Sequence, residues 1–528
     1  MIRTGKAGSG TYGIVYNAET IGDQKRKVAV KRNIVDESVS FSGSIKELDL
    51  LNRLKGHPYI VKLLSVSFSN PFSVPNSPIG RVGNYNYKED YLHFIFEQAN
   101  NNGHSLIYGN GIPICYLKLA MVQMFLGIEF MHSQGVIHRD IKPANLLWFV
   151  TSDNKAAIKI CDFGLAKVHT PQGPMTPRVV TCWYRAPEIC SRDTQYGYPS
   201  DIWSAGCILF EMVAKRALLI NSTDDDVKLL SKIIGLIPDP SYDDIYKLTK
   251  GHEITLTSDA SPRHRVSFRD LINLSDEDIE DFNKLPQDGA NYDQFVDLLD
   301  HILVLDPDKR YTATEILDHP FFNPYRDIIK WSRKTYPPIP GVSPPVNIVC
   351  CRERAWACKA AFLVFNGRGY LSWYKHRILF QSIDMFDRYL SYLNTNTTKR
   401  LVESKYQGKY LTRYQTELHY IVCLYMCIKY YTTLHIPISF TELATDNYKT
   451  PKAMIEAEAF EKKMLRDVLK LTVQRDTIYD VATNINKIPL DEYQTRDLLD
   501  RYGNIRNHYT NVSINDLYNS LIQSDQSN

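Results

Sequence analysis

The pattern of apolar and polar residues divides the chain into a mixed first half and a helical second half. In the first half, β-branched and aromatic runs predict strands, and apolar residues spaced three and four positions apart predict helices. The strands are predicted at 13–16, 28–31 and 91–97, and the helices at 42–56 and 116–132. Residues 69–88 are rich in Pro, Ser, Asn and Gly, which indicates a surface insertion.

A proline-rich stretch separates this half from the next. Residues 323–346 contain six prolines and few periodic apolar residues, which predicts a semi-stiff, extended linker. Beyond it, apolar stripes with helical spacing recur at 379–393, 418–425 and 453–468. The sequence therefore predicts a second, helical domain over residues 347–528.

Composition and charge limit the functional classes. At 528 residues the chain is too long for a single hydrophobic core, so two or three domains are expected. The net charge of +3 gives no support to nucleic-acid or membrane-surface binding driven by bulk charge. The ten cysteines form neither a zinc-ligand pattern nor a disulfide framework, and no apolar run is long enough to cross a bilayer. We expect a soluble, intracellular protein with reduced thiols and no direct contact with membrane or nucleic acid.

One short stretch carries the strongest chemical signal. It reads His138-Arg139-Asp140-Ile141-Lys142-Pro143-Ala144-Asn145 and continues, after a predicted strand, with Asp162-Phe163-Gly164. A carboxylate that can act as a base, a cation two residues on, an amide and a second carboxylate are together the groups that phosphoryl transfer needs. The combination is far more specific than any one of these residues alone.

A glycine-rich stretch and two charged residues precede this motif. Gly8-Ser9-Gly10-Thr11-Tyr12-Gly13-Ile14-Val15 fits a hairpin that lies close over phosphates, because glycine lacks the Cβ that would collide. Only seven residues precede it, which favours a natural start upstream of Met1. Lys31 ends the next strand, where a cation can grip phosphates. Glu47 is the only acidic residue on the following helical stripe, so it needs a positive partner, for which Lys31 is the candidate; a surface glutamate is the alternative.

With these motifs in place, residues 8–322 resemble a eukaryotic-type Ser/Thr protein kinase. The match runs on through Ala186-Pro187-Glu188, Asp201-Ile202-Trp203-Ser204, Asp306-Pro307-Asp308-Lys309-Arg310 and His319-Pro320-Phe321-Phe322. Ser44-Ile45-Lys46-Glu47-Leu48 and the segment 176–188 are most similar to cyclin-dependent kinases, whereas mitogen-activated kinases match less well because their TxY pair is absent. The resemblance implies an α+β, bilobal kinase fold over 1–322, with a small lobe at about 1–99 and a large lobe at about 100–322.

The resemblance also implies a role for each residue of the motifs. Asp140 would accept or orient the proton of the substrate hydroxyl, and Lys142 would offset charge on the transferred phosphoryl group. Asn145 and Asp162 would hold Mg²⁺ on ATP. The other nucleotide contacts would be Gly8, Ser9, Gly10, Gly13, Val15, Ala29, Lys31, Glu47, Phe96, Glu97 and Ala99. Residues 179–180 match the backbone that favours proline after the target residue, so Ser/Thr-Pro sites in protein substrates are expected.

Three residues match regulatory phosphorylation sites of the family. They are Thr176 in the activation loop and Thr11 and Tyr12 in the glycine loop. By the same resemblance, Arg139, Lys46 and Lys167 would surround a phosphate on Thr176, although lysine lacks the bidentate fork that arginine offers. The alternative is an exposed loop threonine without a regulatory role.

The helical half resembles a cyclin box at several places between residues 378 and 469. In chain order these are Ile378-Leu379-Phe380 with 386–391, the segment 425–430, the segment 445–448 and the segment 461–465. By this resemblance, 347–528 is an all-α, cyclin-like domain. A non-cyclin helical bundle is the alternative, because two tyrosines follow Lys429 where cyclins carry glutamates, and little chain is left for a second repeat.

In cyclins the pair that Lys429 and Glu461 match holds the segment before the kinase's regulatory helix, with an isoleucine like Ile45 packed into the cyclin. The fused chain would then carry its own activator, and external regulators stay possible partners. Two other functions stay open: a catalytically idle scaffold, and a kinase whose helical half serves targeting. The retention of Lys31, Asp140 and Asp162 favours the enzyme. Cell-cycle and transcriptional substrates are equally open.

Overall fold

The computed structural model describes the chain in several stretches. These are residues 1–10, 13–22, 25–33, 40–67, 92–109, 114–150, 156–168, 182–191, 196–220, 225–237, 245, 248, 267–284, 290–337, 346–348, 375–396, 413–431, 450–464, 494, 498, 502, 509–512 and 516–517. They belong to two compact units, the first formed by Met1–Ile34 and Arg53–Ile339 and the second by Val35–Asn52 and Pro340–Asn528. Helix α1, Ser40–Arg53, lies in the second unit apart from its last residue. The predicted surface insertion at 69–88 is outside the described residues.

An antiparallel sheet begins the first unit. Its strands are β1 Ile2–Gly10, β2 Gly13–Glu19, β3 Lys27–Asn33, β4 Leu63–Ser67 and β5 Leu92–Glu97, in the order β1-β2-β3-β5-β4. Side chains alternate between the two faces of a strand. In β3, Val28 and Val30 point into the apolar core of the sheet. Ala29 and Lys31 therefore share the opposite face, which is available for binding.

Helices and short strands make up the rest of this unit. The α-helices with both ends in the part of this unit that the structure describes are α2 Gly103–Tyr108, α3 Ile114–Ser133, α4 Pro187–Cys190, α5 Pro199–Ala214, α6 Asp226–Leu236, α7 Phe268–Ile272, α8 Asp276–Lys284, α9 Tyr292–Ile302, α10 Ala313–Asp318 and α11 Arg326–Thr335. The strands β6 Asn101–Asn102, β8 Leu146–Val150 and β9 Ala156–Ile160 form one sheet, and β7 Val136–Ile137 pairs with β10 Lys167–Val168. Helix α5 is buried from residue 200 to residue 213, so it forms the centre of the helical core.

Helix α11 corrects the linker prediction. Residues 326–335 are helical, although 323–346 was predicted to be extended, and the first unit continues to Ile339. The prolines flank this helix without entering it, because Pro324 lies in a preceding 3-10 turn and Pro337 follows. Ile329 and Ser332 are buried on its inner side, so tertiary packing stabilises the helix.

The second unit is helical, as predicted, but not entirely so. Besides α1, the helices of this unit with both ends within the described residues are α12 Lys375–Asn396, α13 Arg413–Tyr431 and α14 Pro451–Lys463. The predicted stripe on α12 is buried, including Leu379, Ile383 and Phe386. The prediction of an all-α domain overlooked a two-stranded antiparallel sheet of β11 Val346–Ile348 and β12 Tyr509–Val512. Among the described residues, no helix combines the length and the hydropathy that a membrane span needs.

An aromatic cluster joins the three helices α12, α13 and α14. The rings of His419 and Phe460 stack with centroids 3.8 Å apart, and Tyr389 meets Phe460 edge-on at 4.8 Å. Nearby, the buried Asp387 carboxylate accepts a hydrogen bond of 2.7 Å from the Tyr502 hydroxyl. This satisfied buried acid fixes a distant part of the chain against α12.

His57 gives the first unit a titratable group among aromatic rings. Its ring stacks on Phe130 with centroids 4.4 Å apart, and burial lowers the pKa of His57 from 6.5 to about 3. Between these pH values His57 is protonated in the unfolded chain but not in the folded one. The free energy of unfolding therefore falls as the pH falls from 6.5 towards 3. We expect His57→Phe, which keeps a stacking ring without a titrating group, to lower the pH dependence of the melting temperature in this range. Thermal melts of both proteins at several pH values measure this. If the melting temperature changes equally with pH in both proteins, His57 is not the titrating group.

Candidate active site

The loop between β7 and β8 gathers the residues of the first motif. The Asn145 Nδ2 group donates hydrogen bonds to the Asp140 backbone oxygen at 2.8 Å and to Asp140 Oδ2 at 3.0 Å. The Lys142 ammonium lies 2.7 Å from the same Oδ2. Because the Asn145 amide uses its nitrogen here, its oxygen is left as a ligand atom. A proton acceptor, a cation and a potential metal ligand thus share one site.

Asp201, in the first turn of α5, fixes this loop by accepting hydrogen bonds from its backbone. Asp201 Oδ2 accepts the His138 N–H at 2.8 Å, and Oδ1 accepts the Arg139 N–H at 2.9 Å. The His132 Nε2 atom lies 3.0 Å from Oδ2. Burial alone would raise the pKa of Asp201, but its hydrogen bond with His132 and its other interactions with His132 and His138 outweigh burial and lower it. Arg139 has a φ of 67°, a strained conformation that these bonds help to maintain.

His138 joins the loop to the second motif. Its Nδ1 atom accepts the Asp140 N–H at 3.2 Å, so the ring carries its proton on Nε2, which donates to the Cys161 carbonyl at 2.9 Å. The ring also meets Phe163 edge-on at 5.0 Å. Asp140 and Asp162 therefore have a fixed spatial relation.

Lys31 and Asp162 form an ion pair across the cleft. The Lys31 ammonium donates to Asp162 Oδ1 at 2.8 Å, and the two side chains are 9% and 40% exposed. Burial would raise the pKa of Asp162, but the charge and hydrogen bond of Lys31 outweigh it, so the carboxyl stays ionised. Asp162 has a φ of 62°, which aims its carboxylate from a strained backbone. The partly exposed carboxylate and the Asn145 amide oxygen are hard ligands of the kind that Mg²⁺ prefers, so the residues fit this metal.

The glycine hairpin and its neighbours form the other wall. Gly13 has a φ of 151°, and a Cβ at this position would collide with the Arg32 carbonyl, so glycine is required. In the strand register, Val15 lies opposite Lys31 on β3. Gly8, Ser9 and Gly10 belong to the paired backbone of β1, whereas Thr11 and Tyr12 lie outside the described residues.

Two of the predicted nucleotide contacts, Ala29 and Phe96, lie on the same face of the sheet as Lys31. Ala29 is paired with Phe96 across β3 and β5, so both side chains share the face of Lys31. The Glu97 carboxylate accepts the Lys62 N–H at 2.8 Å and the Lys159 ammonium at 2.7 and 2.8 Å. Its carboxylate is therefore occupied by the protein, and any contact of Glu97 with a nucleotide would use its backbone. Ala99 is half-buried just beyond.

Other predicted residues lie in the second unit or outside the described residues. Glu47 and Lys46 are on α1, which is in the second unit, where Glu47 is only 2% exposed. Glu461 is buried on α14. The predicted residues outside the described positions are Thr176 and residues 179–180, together with the side chains of Ile45 and Lys429.

Arg139 and Lys167 do lie together. Burial, and then the Arg139 charge, lower the pKa of Lys167 from 10.5 to about 8. The Arg139 guanidinium also donates to the Leu165 carbonyl at 2.6 Å. An anion bound between these two adjacent side chains would stabilise their charged forms, including that of Lys167 with its lowered pKa.

A second candidate metal site does not fit a metal. The ligand atoms of Asp297, His301 and His319 lie within 4.8 Å of one another. However, His319 Nδ1 accepts the Phe321 N–H at 3.2 Å, so its proton is on Nε2, which donates to Asp297 at 2.9 Å. Both nitrogens of His319 are committed to structural hydrogen bonds, and the cluster stabilises the loop after α10.

Glu188 and Arg310 form a buried bidentate pair at 3.0 and 3.2 Å, with side chains 4% and 0% exposed. Glu188→Gln would leave the Arg310 charge buried without its counter-ion, which costs about 3–5 kcal/mol. We expect the melting temperature to fall by about 10 °C. Glu280→Gln, on the exposed face of α8, is the matched control and should melt like the natural protein. An equal melting temperature for the two variants would contradict a stabilising role for the Glu188–Arg310 pair.

Comparisons with known proteins agree with this geometry. The protein kinase domain family matches residues 2–322. The mitogen-activated protein kinase HOG1 of Gibberella zeae is 33% identical over 324 residues, 61% of this chain and 78% of that relative. Cyclin-dependent kinase 4 of Xenopus laevis is 33% identical over 323 residues, 60% of this chain and 88% of that relative. Mitogen-activated protein kinase 15 of Xenopus laevis is 30% identical over 328 residues, 60% of this chain and 49% of that relative.

The mitogen-activated relative HOG1 and the cyclin-dependent relative are equally similar to this chain, at 33% identity. That the chain is more similar to cyclin-dependent kinases therefore stays a prediction. The family match ends at residue 322, so it does not bear on the cyclin-like prediction.

Proposed function

The chain belongs to the protein kinase domain family and is a Ser/Thr kinase of the mitogen-activated and cyclin-dependent type that uses ATP and Mg²⁺; from this premise we propose that it is proline-directed and carries its own cyclin-like activator. The observation that carries the catalytic part is the convergence of Lys31, Asp140, Asn145 and Asp162 in one cleft. An intracellular location is part of the same proposal.

In the proposed mechanism Asp140 orients the substrate hydroxyl and accepts its proton. Lys142, 2.7 Å from that carboxylate, offsets negative charge on the phosphoryl group as it moves. Lys31 would hold the phosphates on the nucleotide side, and Asn145 with Asp162 would hold Mg²⁺. When bound, the metal would supply positive charge that offsets the charge of the phosphates. Most of the chain's contribution is positioning, which the hydrogen bonds around Asp140 and Asp201 support.

The nucleotide is proposed to lie between the glycine hairpin and the sheet face of Lys31. Gly8, Ser9, Gly10 and Gly13 would cover the phosphates, and the remaining wall would be Val15, Ala29, Phe96, Ala99 and the backbone of Glu97. The required glycine at 13 supports this, because a side chain there would distort the hairpin.

Control by phosphorylation is proposed at Thr176. Arg139 and Lys167, which lie close to each other, support it, since a phosphate would bring about −1.5 to −2 charges to two crowded cations. Lys46 would be the third cation. Thr11 and Tyr12 are proposed as inhibitory sites, where a phosphate would repel the phosphates of ATP.

The C-terminal half is proposed as an activator in cis. Its support is that α1, which carries Glu47, belongs to the same compact unit as Pro340–Asn528. Residues 47–51 of this helix are all buried. A helix that bears a catalytic glutamate and is built into another unit would take its position from that unit. Ile45, Lys429 and Glu461 are the proposed contacts.

The test of proline direction is a pair of peptides that differ only after the target serine. We expect kcat/KM to be at least about tenfold higher with proline than with alanine at that position, because a single pocket contact gives discrimination of this size. The full-length chain is used, with Asp140→Ala as the inactive control. Equal kcat/KM values for both peptides would refute proline direction while leaving kinase activity intact.

A further inference from the structure

A cavity of about 510 Å³ lies in the first unit. It is lined by residues from the end of α3, the start of α5, the start of α10 and helix α11. Its volume is within the range of about 300–1,000 Å³ that is typical of small-molecule sites. The kinase reaction described above uses none of this space.

Aromatic rings form one wall of the cavity. His57 and Phe130 stack in parallel, with an angle of 7° between their planes. The Tyr336 ring stands edge-on to His57 with centroids 4.9 Å apart. His57 is neutral at physiological pH, because burial lowers its pKa to about 3. This wall therefore offers aromatic faces and edges without a charge.

The cations in the wall are already neutralised. The Arg333 guanidinium binds Glu129 at 2.8 Å and Asp318 at 2.9 Å. Arg310 is bound by both oxygens of Glu188. An anionic ligand would have to compete with these carboxylates for the guanidinium groups, and a cationic ligand would have to compete with the guanidinium groups for the carboxylates. A neutral ligand would avoid both costs.

The cavity is connected to the catalytic loop. His132 lines it and binds Asp201 Oδ2 at 3.0 Å, and Asp201 in turn holds the N–H groups of His138 and Arg139. Arg310 also lines it and holds the segment at Glu188. Two of its wall residues are therefore one hydrogen bond away from groups that fix the site.

We propose that this cavity binds a neutral, largely aromatic small molecule and that its occupancy stabilises the catalytic loop through His132 and Asp201. A ligand that fits the observed arrangement of the wall favours that arrangement over others. Ring stacking and dispersion supply the affinity, because an unfilled apolar wall lacks contact partners on one side. The consequence is a rise in kcat with little change in KM for ATP.

The test uses the full chain and two fluorescent probes that differ in charge. N-phenyl-1-naphthylamine is neutral and aromatic, and 8-anilinonaphthalene-1-sulfonate adds one negative charge to a similar ring system. We expect saturable binding of the neutral probe and at least about tenfold weaker binding of the sulfonate, which corresponds to about 1.4 kcal/mol. Tighter or equal binding of the sulfonate would overturn the assignment of a neutral ligand.

Two variants locate the probe. Ser133→Trp fills the cavity from its rim and should weaken binding of the neutral probe at least about tenfold. The matched control Lys334→Trp adds the same indole on the exposed side of α11, outside the lining, and should bind like the natural protein. Tyr336→Ala removes an aromatic edge and gives an independent loss if Ser133→Trp does not fold. Unchanged affinity in Ser133→Trp or Tyr336→Ala would place the probe elsewhere and refute the site.

The connection to catalysis is measured with the same molecules. Saturation with the neutral probe should raise kcat for a peptide substrate about fivefold, and Ser133→Trp should abolish this response while Lys334→Trp keeps it. A bound probe that leaves kcat unchanged in the natural protein would refute the proposed transmission through Asp201.

Discussion

Replacing Asp140 with Asn should lower kcat for peptide phosphorylation by about 10²–10⁴, the contribution that a positioned general base typically makes. Asn has nearly the same shape and can still take part in the hydrogen bonds around Asn145. It cannot accept the substrate proton, and it no longer carries the charge that lies 2.7 Å from the Lys142 ammonium. The loss should therefore appear in kcat. Steady-state kinetics with a peptide substrate measures it.

The binding of ATP separates a chemical defect from a folding defect. Lys31 and Asp162 do not depend on the Asp140 carboxylate, so the dissociation constant of ATP with Mg²⁺ should stay close to that of the natural protein. Asp276→Asn, an exposed substitution in the first turn of α8, is the matched control and should keep full activity. An Asp140→Asn protein with natural kcat would remove Asp140 from the mechanism.

The chemistry of the cleft could be predicted because its groups are close in sequence. Asp140, Lys142 and Asn145 fall within one loop, and their side chains meet there in the structure. The hairpin at Gly13 was also predictable, since the strand pattern and the glycine both point to a turn with a close backbone approach. Local spacing is sufficient for such features.

The supports of the loop could not be predicted in the same way. Asp201 binds the His138 N–H from 63 residues away, and Lys159 binds Glu97 from 62 residues away. Nothing in the local pattern around Asp201 indicates a partner, because its role depends on how α5 packs under the loop. Glu97 looked like a nucleotide contact, yet the fold commits its carboxylate to Lys159 and Lys62.

Two errors, one in the first unit and one in the second, have physical causes. Helix α11 was predicted as linker because the flanking prolines dominate the composition, although no proline falls within its ten residues. The pairing of β11 with β12 was missed because each strand has only three or four residues, too few for a periodic signal. In both cases the stabilising contacts are tertiary.

Removing residues 346–528 should lower kcat/KM for peptide by about 10² or more, because an equilibrium that shifts from mostly active to about 1% active loses that factor. The position of Glu47 depends on the second unit. Its helix α1 belongs to the unit of Pro340–Asn528, and the carboxylate is buried, so its position depends on that unit. A chain ending at residue 345 lacks this support. Peptide kinase assays on the full chain and on residues 1–345 measure the difference.

A second design keeps misfolding from imitating this result. A protease site inserted within 338–345 allows the full chain to fold first and to be cut afterwards. Residues 338–345 can be cut without loss of activity in concentrated protein if they act only by keeping the two pieces at an effective concentration on the order of millimolar. In that case activity should fall when the cut protein is diluted and return when it is concentrated. ATP binding by the diluted protein should persist, since Lys31 and Asp162 are both in the first unit. If residues 1–345 phosphorylate the peptide as fast as the whole chain, the helical half is not an activator, and a targeting role becomes the better hypothesis.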